Sequence, residues 1–172
     1  MKRLILALLI SMPVFVCGQE HLRFLGHPIT GDLKEFVKAL NAEGYESVSN
    51  KFRFQGMQTK TVRGVFWKFS DSYVVVRKFK KSSEVSSVYI HPKNGFVLLN
   101  ELIDIMDSKY GSHEEYTSYT NVNEITYTWS LPMGCISIFA STIYGQAFDI
   151  LYQDYVEVNI INKVSQVIDC DL

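Results

Sequence analysis

Two short apolar stripes at helical spacing constrain this chain more than any other feature. Leu33, Phe36, Val37 and Leu40 fall at i, i+3, i+4 and i+7, and Leu99, Leu102, Ile103 and Met106 repeat that spacing. Each stripe marks a helix with one buried face. Asp32 opens the first as an N-cap, with Glu35 three residues later completing a capping box. Gly44 closes it, and Lys34, Lys38, Asn41 and Glu43 fill its wet side. Asn100, Glu101, Asp104 and Asp107 form the polar side of the second helix, which ends at Gly111.

The rest of the chain reads as strands. Residues 52–55 alternate apolar and polar. Residues 62–69 and 73–79 are rich in β-branched and aromatic side chains and are separated at Ser70, Asp71 and Ser72. A further strand over 85–90 closes at the turn cluster Pro92-Lys93-Asn94-Gly95. Beyond the second helix, strands are expected over 116–119, 125–129, 135–143, 147–152 and 156–161. In 125–129 the alternation is clean, as in a strand with one wet face. This order predicts an α+β domain, with antiparallel sheet or sheets and two helices covering one sheet face. The constant offset between the stripes suggests a tandem duplicated α-β-β-β-β unit, with half-repeats over 30–92 and 95–161. Two unrelated amphipathic helices would align equally well, so both readings stand.

The first eighteen residues read as an export signal. Lys2 and Arg3 precede an apolar run over 4–16, interrupted only by Ser11 and Pro13. That run is too short for a hydrocarbon core of roughly 30 Å and suits a signal-peptide core. Val16 and Gly18 sit at the −3 and −1 positions of a cut before Gln19. A lipid anchor at Cys17 is the weaker alternative, because β-branched Val16 fits the preceding position poorly. The expected product is a single domain over 19–172, periplasmic or secreted, with no later stretch of transmembrane length.

Without Lys2 and Arg3, 15 basic residues face 18 acidic ones. A mildly acidic domain lacks the basic footprint of a nucleic-acid binder. The run Arg77-Lys78-Phe79-Lys80-Lys81 is the local exception, read here as a solvated hairpin tip that discourages edge pairing. Two cysteines follow the leader, Cys135 and Cys170. An oxidising compartment permits a bridge between them, worth about 4 kcal/mol on the chain-entropy model. Two unpaired thiols are the other reading.

Several motifs together bear a resemblance. The segment Phe24-Leu25-Gly26-His27-Pro28-Ile29-Thr30-Gly31 leading into Asp32-Leu33-Lys34-Glu35-Phe36 resembles the opening of small exported proteins of the Bacteroides group. Glu43-Gly44-Tyr45 is similar to their Lys-Gly-Phe helix end, and Lys109-Tyr110-Gly111 to their Lys-Tyr-Gly, without the Pro that usually follows. Tyr152-Gln153-Asp154 and the final Ile168-Asp169-Cys170-Asp171-Leu172 resemble their Tyr-x-Asp and Ile-Asp-Asp-Leu endings. The resemblance implies export and an α+β domain, and carries no activity or site residue. Paired helix-plus-four-strand units are also similar to the β-lactamase-inhibitor-like architecture, in which a concave sheet grips a partner, an analogy of fold alone.

No motif for chemistry stands out. His21, His27, His91 and His113 make no metal-ligand spacing, and His113-Glu114-Glu115 reads as a solvated loop. No nucleophile elbow or phosphate loop is present, and isolated Gly56 and Gly64 read as bulges or close-packing sites. Asp149, Asp154 and Glu157 are the candidate carboxylates for a hydrolase, with Asp149 and Glu157 expected to face water. The aromatic bias is the most distinctive feature: Phe66, Trp67, Phe69, Tyr73, Tyr89, Tyr116, Tyr119, Tyr127 and Trp129. Trp67 and Tyr119 are the candidate exposed, partner-binding members. The leading expectation is therefore a non-enzymatic binding module for an envelope or secreted protein, with no cofactor. A partner-free protein and a small hydrolase of carbohydrate or peptidoglycan are the alternatives.

Overall fold

The computed structural model describes residues 20–49, 52–93, 98–117, 124–141 and 147–156. Residues 1–19 with Cys17, and also Tyr119, Glu157 and Cys170, lie outside the described residues. The elements run β1 (Arg23–Phe24), β2 (His27–Pro28), α1 (Leu33–Ala42), β3 (Glu46–Val48), β4 (Met57–Phe66), β5 (Phe69–Phe79) and β6 (Ser87–Pro92). They continue with α2 (Leu99–Tyr110), β7 (Glu114–Thr117), β8 (Glu124–Leu131), β9 (Gly134–Ser141) and β10 (Ala147–Asp154). The fold is α+β, as the stripes and strand runs predict.

Both helices form where the stripes place them. The Asp32 carboxylate accepts from the Lys34 and Glu35 amides at 2.7 and 3.2 Å, satisfying two of the orphan N–H groups of α1. Gly44 at φ +93° and Gly111 at φ +89° take the backbone out of α1 and α2. Leu33, Phe36, Val37 and Leu40 are buried, and so are Leu99, Leu102, Ile103 and Met106.

Apart from the small β1–β2 hairpin, the strands form one antiparallel sheet in the order β3-β4-β5-β6-β10-β9-β8-β7. Each helix is thus followed by a four-stranded meander, and the two meanders meet through their last strands. The seam is the β6–β10 ladder, with Ile90 opposite Ile150 and Val88 opposite Tyr152. Alternation sends one set of strand residues into the core: Val74 and Val76, Val88 and Ile90, Ile136 and Ile138, Phe148, Ile150 and Tyr152. The apolar stripes of both helices belong to that same cluster. Both described helices therefore cover one face, and no helix among the described residues lies on the other face of the sheet.

Several strand expectations need correction. Residues 52–54 lie outside any ladder, and β4 begins only at Met57, after a turn at Gln55 and Gly56. The break expected at Ser70, Asp71 and Ser72 is continuous strand; the hairpin turns at Trp67 and Lys68, between the opposed Phe66 and Phe69. These polar residues remain in the sheet because Asp71 is held by Arg63 on β4, Nε to Oδ1 2.6 Å, and by Lys93 after β6, 2.7 Å. The expected strand over 156–161 is not seen in its one described residue, since Val156 lies in a helical turn. Gly64 does mark both a bulge and a close approach: the register shifts between Gly64 and Phe66, and an added Cβ would sit 2.6 Å from Tyr45 Cδ1.

Candidate functional site

The helix-free face carries an aromatic and charged band across β5, β6 and β10. Strand alternation places Tyr73, Val75 and Arg77 of β5 on it, opposite His91, Tyr89 and Ser87 of β6. Asp149, Leu151 and Gln153 of β10 follow, with Leu151 opposite Tyr89. The segment of residues 52–54 folds over this band. The Phe52 ring lies 5.7 Å from Tyr73, 6.1 Å from Tyr89 and 5.7 Å from His91 between centroids. Phe54 meets Tyr89 edge-on at 5.2 Å, and the Arg77 guanidinium stands 4.5 Å over the Phe54 ring.

Arg77 therefore departs from expectation. It is not at a solvated tip but 8% exposed, with Nε donating to Ser87 Oγ at 3.0 Å. Burial pushes its guanidinium down to about 10. The reversal follows from parity: position 77 shares its face with Tyr73 and Val75, beneath Phe54. Lys80 and Lys81, beyond the end of β5, are exposed as expected.

His91 and Asp149 pair at 2.7 Å across the seam between the two meanders. A carboxylate has no proton to give, so His91 Nδ1 is the donor. The bond to Asp149 raises the His91 pKa above its ordinary value of 6.5, against the opposing effect of burial. Burial first, and the hydrogen bond to Asp149 second, hold the Tyr89 hydroxyl well above the usual tyrosine range. Asp149 is thus half-buried and engaged rather than directed into open water as the strand pattern suggested.

Asp154 is five positions from Asp149 and so on the opposite face. It is fully buried, and its Oδ2 accepts from the Leu22 amide at 2.7 Å while Oδ1 accepts from the Val156 amide at 2.9 Å. His21 Nδ1 lies 3.3 Å from the same carboxylate. These two carboxyls do not converge on one cleft. Nor, among the described residues, do three or more His, Cys, Asp or Glu side chains gather to hold a metal. His113 is half-buried, bonded to Asp107 at 2.9 Å and packed against Tyr127 and Trp129 at 5.3 and 5.5 Å, so it is not a solvated loop residue.

Of the two aromatics singled out from sequence, Tyr119 lies outside the described residues. Trp67 occupies the first position of the β4–β5 turn at φ +53°, a backbone region where glycine is the usual occupant. It is half-buried, edge-on to Phe69 at 5.2 Å, with Lys68 Nζ 5.2 Å from its ring. Trp67 packs against the core at the end of a hairpin, not in the band. Cys135 is half-buried on β9, opposite Ser130 and Gln153. Sequence reading missed Phe52, Phe54, Tyr73, Tyr89, His91 and Asp149 as one group. The period of two would pair Tyr89 with His91, but only the strand order brings Asp149 to them.

No helix among the described residues is long and apolar enough to cross a membrane. Comparison with protein-family models, with curated proteins and with solved structures found no match to this chain.

Proposed function

We propose that the chain is an exported, non-enzymatic binding module whose helix-free sheet face takes a protein partner. The observation that carries this reading is the band of Tyr73, Arg77, Tyr89, His91 and Asp149 on a face that no helix among the described residues covers. The half-buried Tyr73 and Tyr89 supply contact area with a polar handle, a side-chain type that dominates partner surfaces, while Arg77 lies beneath Phe54. The same face continues across β9, where Phe139 is 41% exposed. In this reading the two meanders arose by duplication of an α-β-β-β-β unit and act as one continuous surface, as in the β-lactamase-inhibitor-like analogy. The hydrolase alternative has less support, because Asp149 and Asp154 point to opposite faces.

The test is to tag the chain, express it in its native host and cross-link it. Co-purifying proteins are then identified by mass spectrometry from envelope and medium. A single stoichiometric partner is expected, lost on Phe139→Asp. No partner above the untagged control would overturn the reading. The mass of the recovered chain tests the accompanying proposal of export, which requires cleavage before Gln19.

A further inference from the structure

We propose that the aromatic band recognises an extended partner segment carrying two aromatic rings two residues apart, and that the chain's own Phe52-Arg53-Phe54 fills that place until the partner displaces it. The inference rests on the binding-module reading and specifies its ligand and its control. Three observations carry it. First, residues 52–54 belong to no ladder, so lifting them breaks no strand pairing, though it releases local bonds such as those from Thr59 Oγ1 to the Phe52 carbonyl and from the Met57 amide to the Phe54 carbonyl. Second, they are spaced as a ligand would be. In an extended segment, residues i and i+2 face the same way, and both Phe52 and Phe54 meet the band. Third, the floor beneath them is desolvated: Val75 is 0% exposed and Arg77 8%.

A bare floor of that kind favours replacement of one ring by another rather than by water. The Arg77 guanidinium attracts the electron-rich face of a ring, and burial strengthens that attraction. Tyr73, Tyr89 and His91 present edges and faces at 5–6 Å, the spacing of favourable aromatic pairs. Phe52 and Phe54 themselves remain only half-buried. The occupant is thus chemically specified but not sealed in, the condition under which a competitor with the same spacing exchanges for it.

The probe is an acetylated, fluorescently labelled peptide of residues 52–56, Phe-Arg-Phe-Gln-Gly. It is titrated by anisotropy into the full chain and into the Phe52→Ala/Phe54→Ala variant. At least about tenfold tighter binding to the variant than to the natural chain is expected, and a peptide with both rings replaced by Ala should lose at least about tenfold. Equal binding of the peptide to both proteins, or of both peptides to the variant, would overturn the proposal. Should the double variant fail to fold, the natural chain provides the measurement. Excess peptide should then shift the amide resonances of Phe52, Phe54 and Tyr89, and unmoved resonances would count against exchange. If exchange fails while a captured partner is still lost on Phe139→Asp, the binding-module reading stands and this inference alone falls.

Discussion

At the scale of single residues, two carboxylates decide the most. Asp154 anchors the Leu22 amide in a site with no water access. Asp154→Ala would leave that N–H buried and unpaired. A loss of about 2–3 kcal/mol is expected by urea unfolding. A change under about 0.5 kcal/mol, the range of ordinary surface substitutions, would show that the amide finds another acceptor. Asp149 acts instead through His91, whose pKa it raises. A raised folded-state pKa contributes stability that is fully present below the unfolded value of about 6.5 and is lost as pH climbs through the folded value. Stability of the natural chain should therefore decline as pH rises above about 6.5, and His91→Asn should flatten that decline. Parallel pH profiles for both proteins would refute the pairing. Neither role was visible in sequence. Burial of Asp154 depends on a partner 132 positions away, and that of Asp149 on which strand lies beside β10.

At the scale of elements, the helices were legible because their information is local. An Asp32 cap, a four-residue stripe and the terminal Gly44 specify α1 from its own local sequence, and tertiary packing agrees with each of them. The strands were legible as elements but not at their edges. Residues 52–55 alternate because both rings face the sheet from above, which produces the same pattern as a ladder strand. The Trp67-Lys68 turn carries none of the Gly or Asn signals of a tight hairpin. Gly134 at the start of β9 provides a sharper test of element packing. A Cβ there would lie 2.2 Å from the Gln153 carbonyl oxygen on β10, and backbone cannot rotate aside as a side chain can. Gly134→Ala should cost about 3 kcal/mol or more, or abolish soluble expression. Gly64→Ala meets the Tyr45 ring instead and should cost less, about 1–3 kcal/mol. Equal midpoints for the two variants in denaturant would contradict this ranking.

At the scale of the whole molecule, one core and one sheet join the two meanders. The buried cluster runs from Leu33 and Leu40 of α1 through Ile90 and Ile150 at the seam to Trp129 of β8. The halves are expected to unfold together. The two tryptophans make this measurable, since Trp67 lies in the first meander and Trp129, 1% exposed and bonded to Asp107, lies in the second. Trp67→Phe and Trp129→Phe leave one reporter each. With stability differences between the variants subtracted, coincident transitions are expected, and separated midpoints would show independent halves.

The seam has a kinetic consequence. Ile90 of β6 pairs with Ile150 of β10 across about 60 residues, and the Leu22 amide closes on Asp154 over a span of 132. The pairings that unite the sheet are thus among the most remote in sequence, and their loop-closure entropy falls due before any of their burial is gained. A chain emerging from its amino end can assemble its first meander early, yet β6 must wait with one edge unpaired until the last of these strands exists. Refolding should accordingly be slow for a domain of this size, and a chain stopped before Ala147 should collect as aggregate rather than as a smaller folded unit.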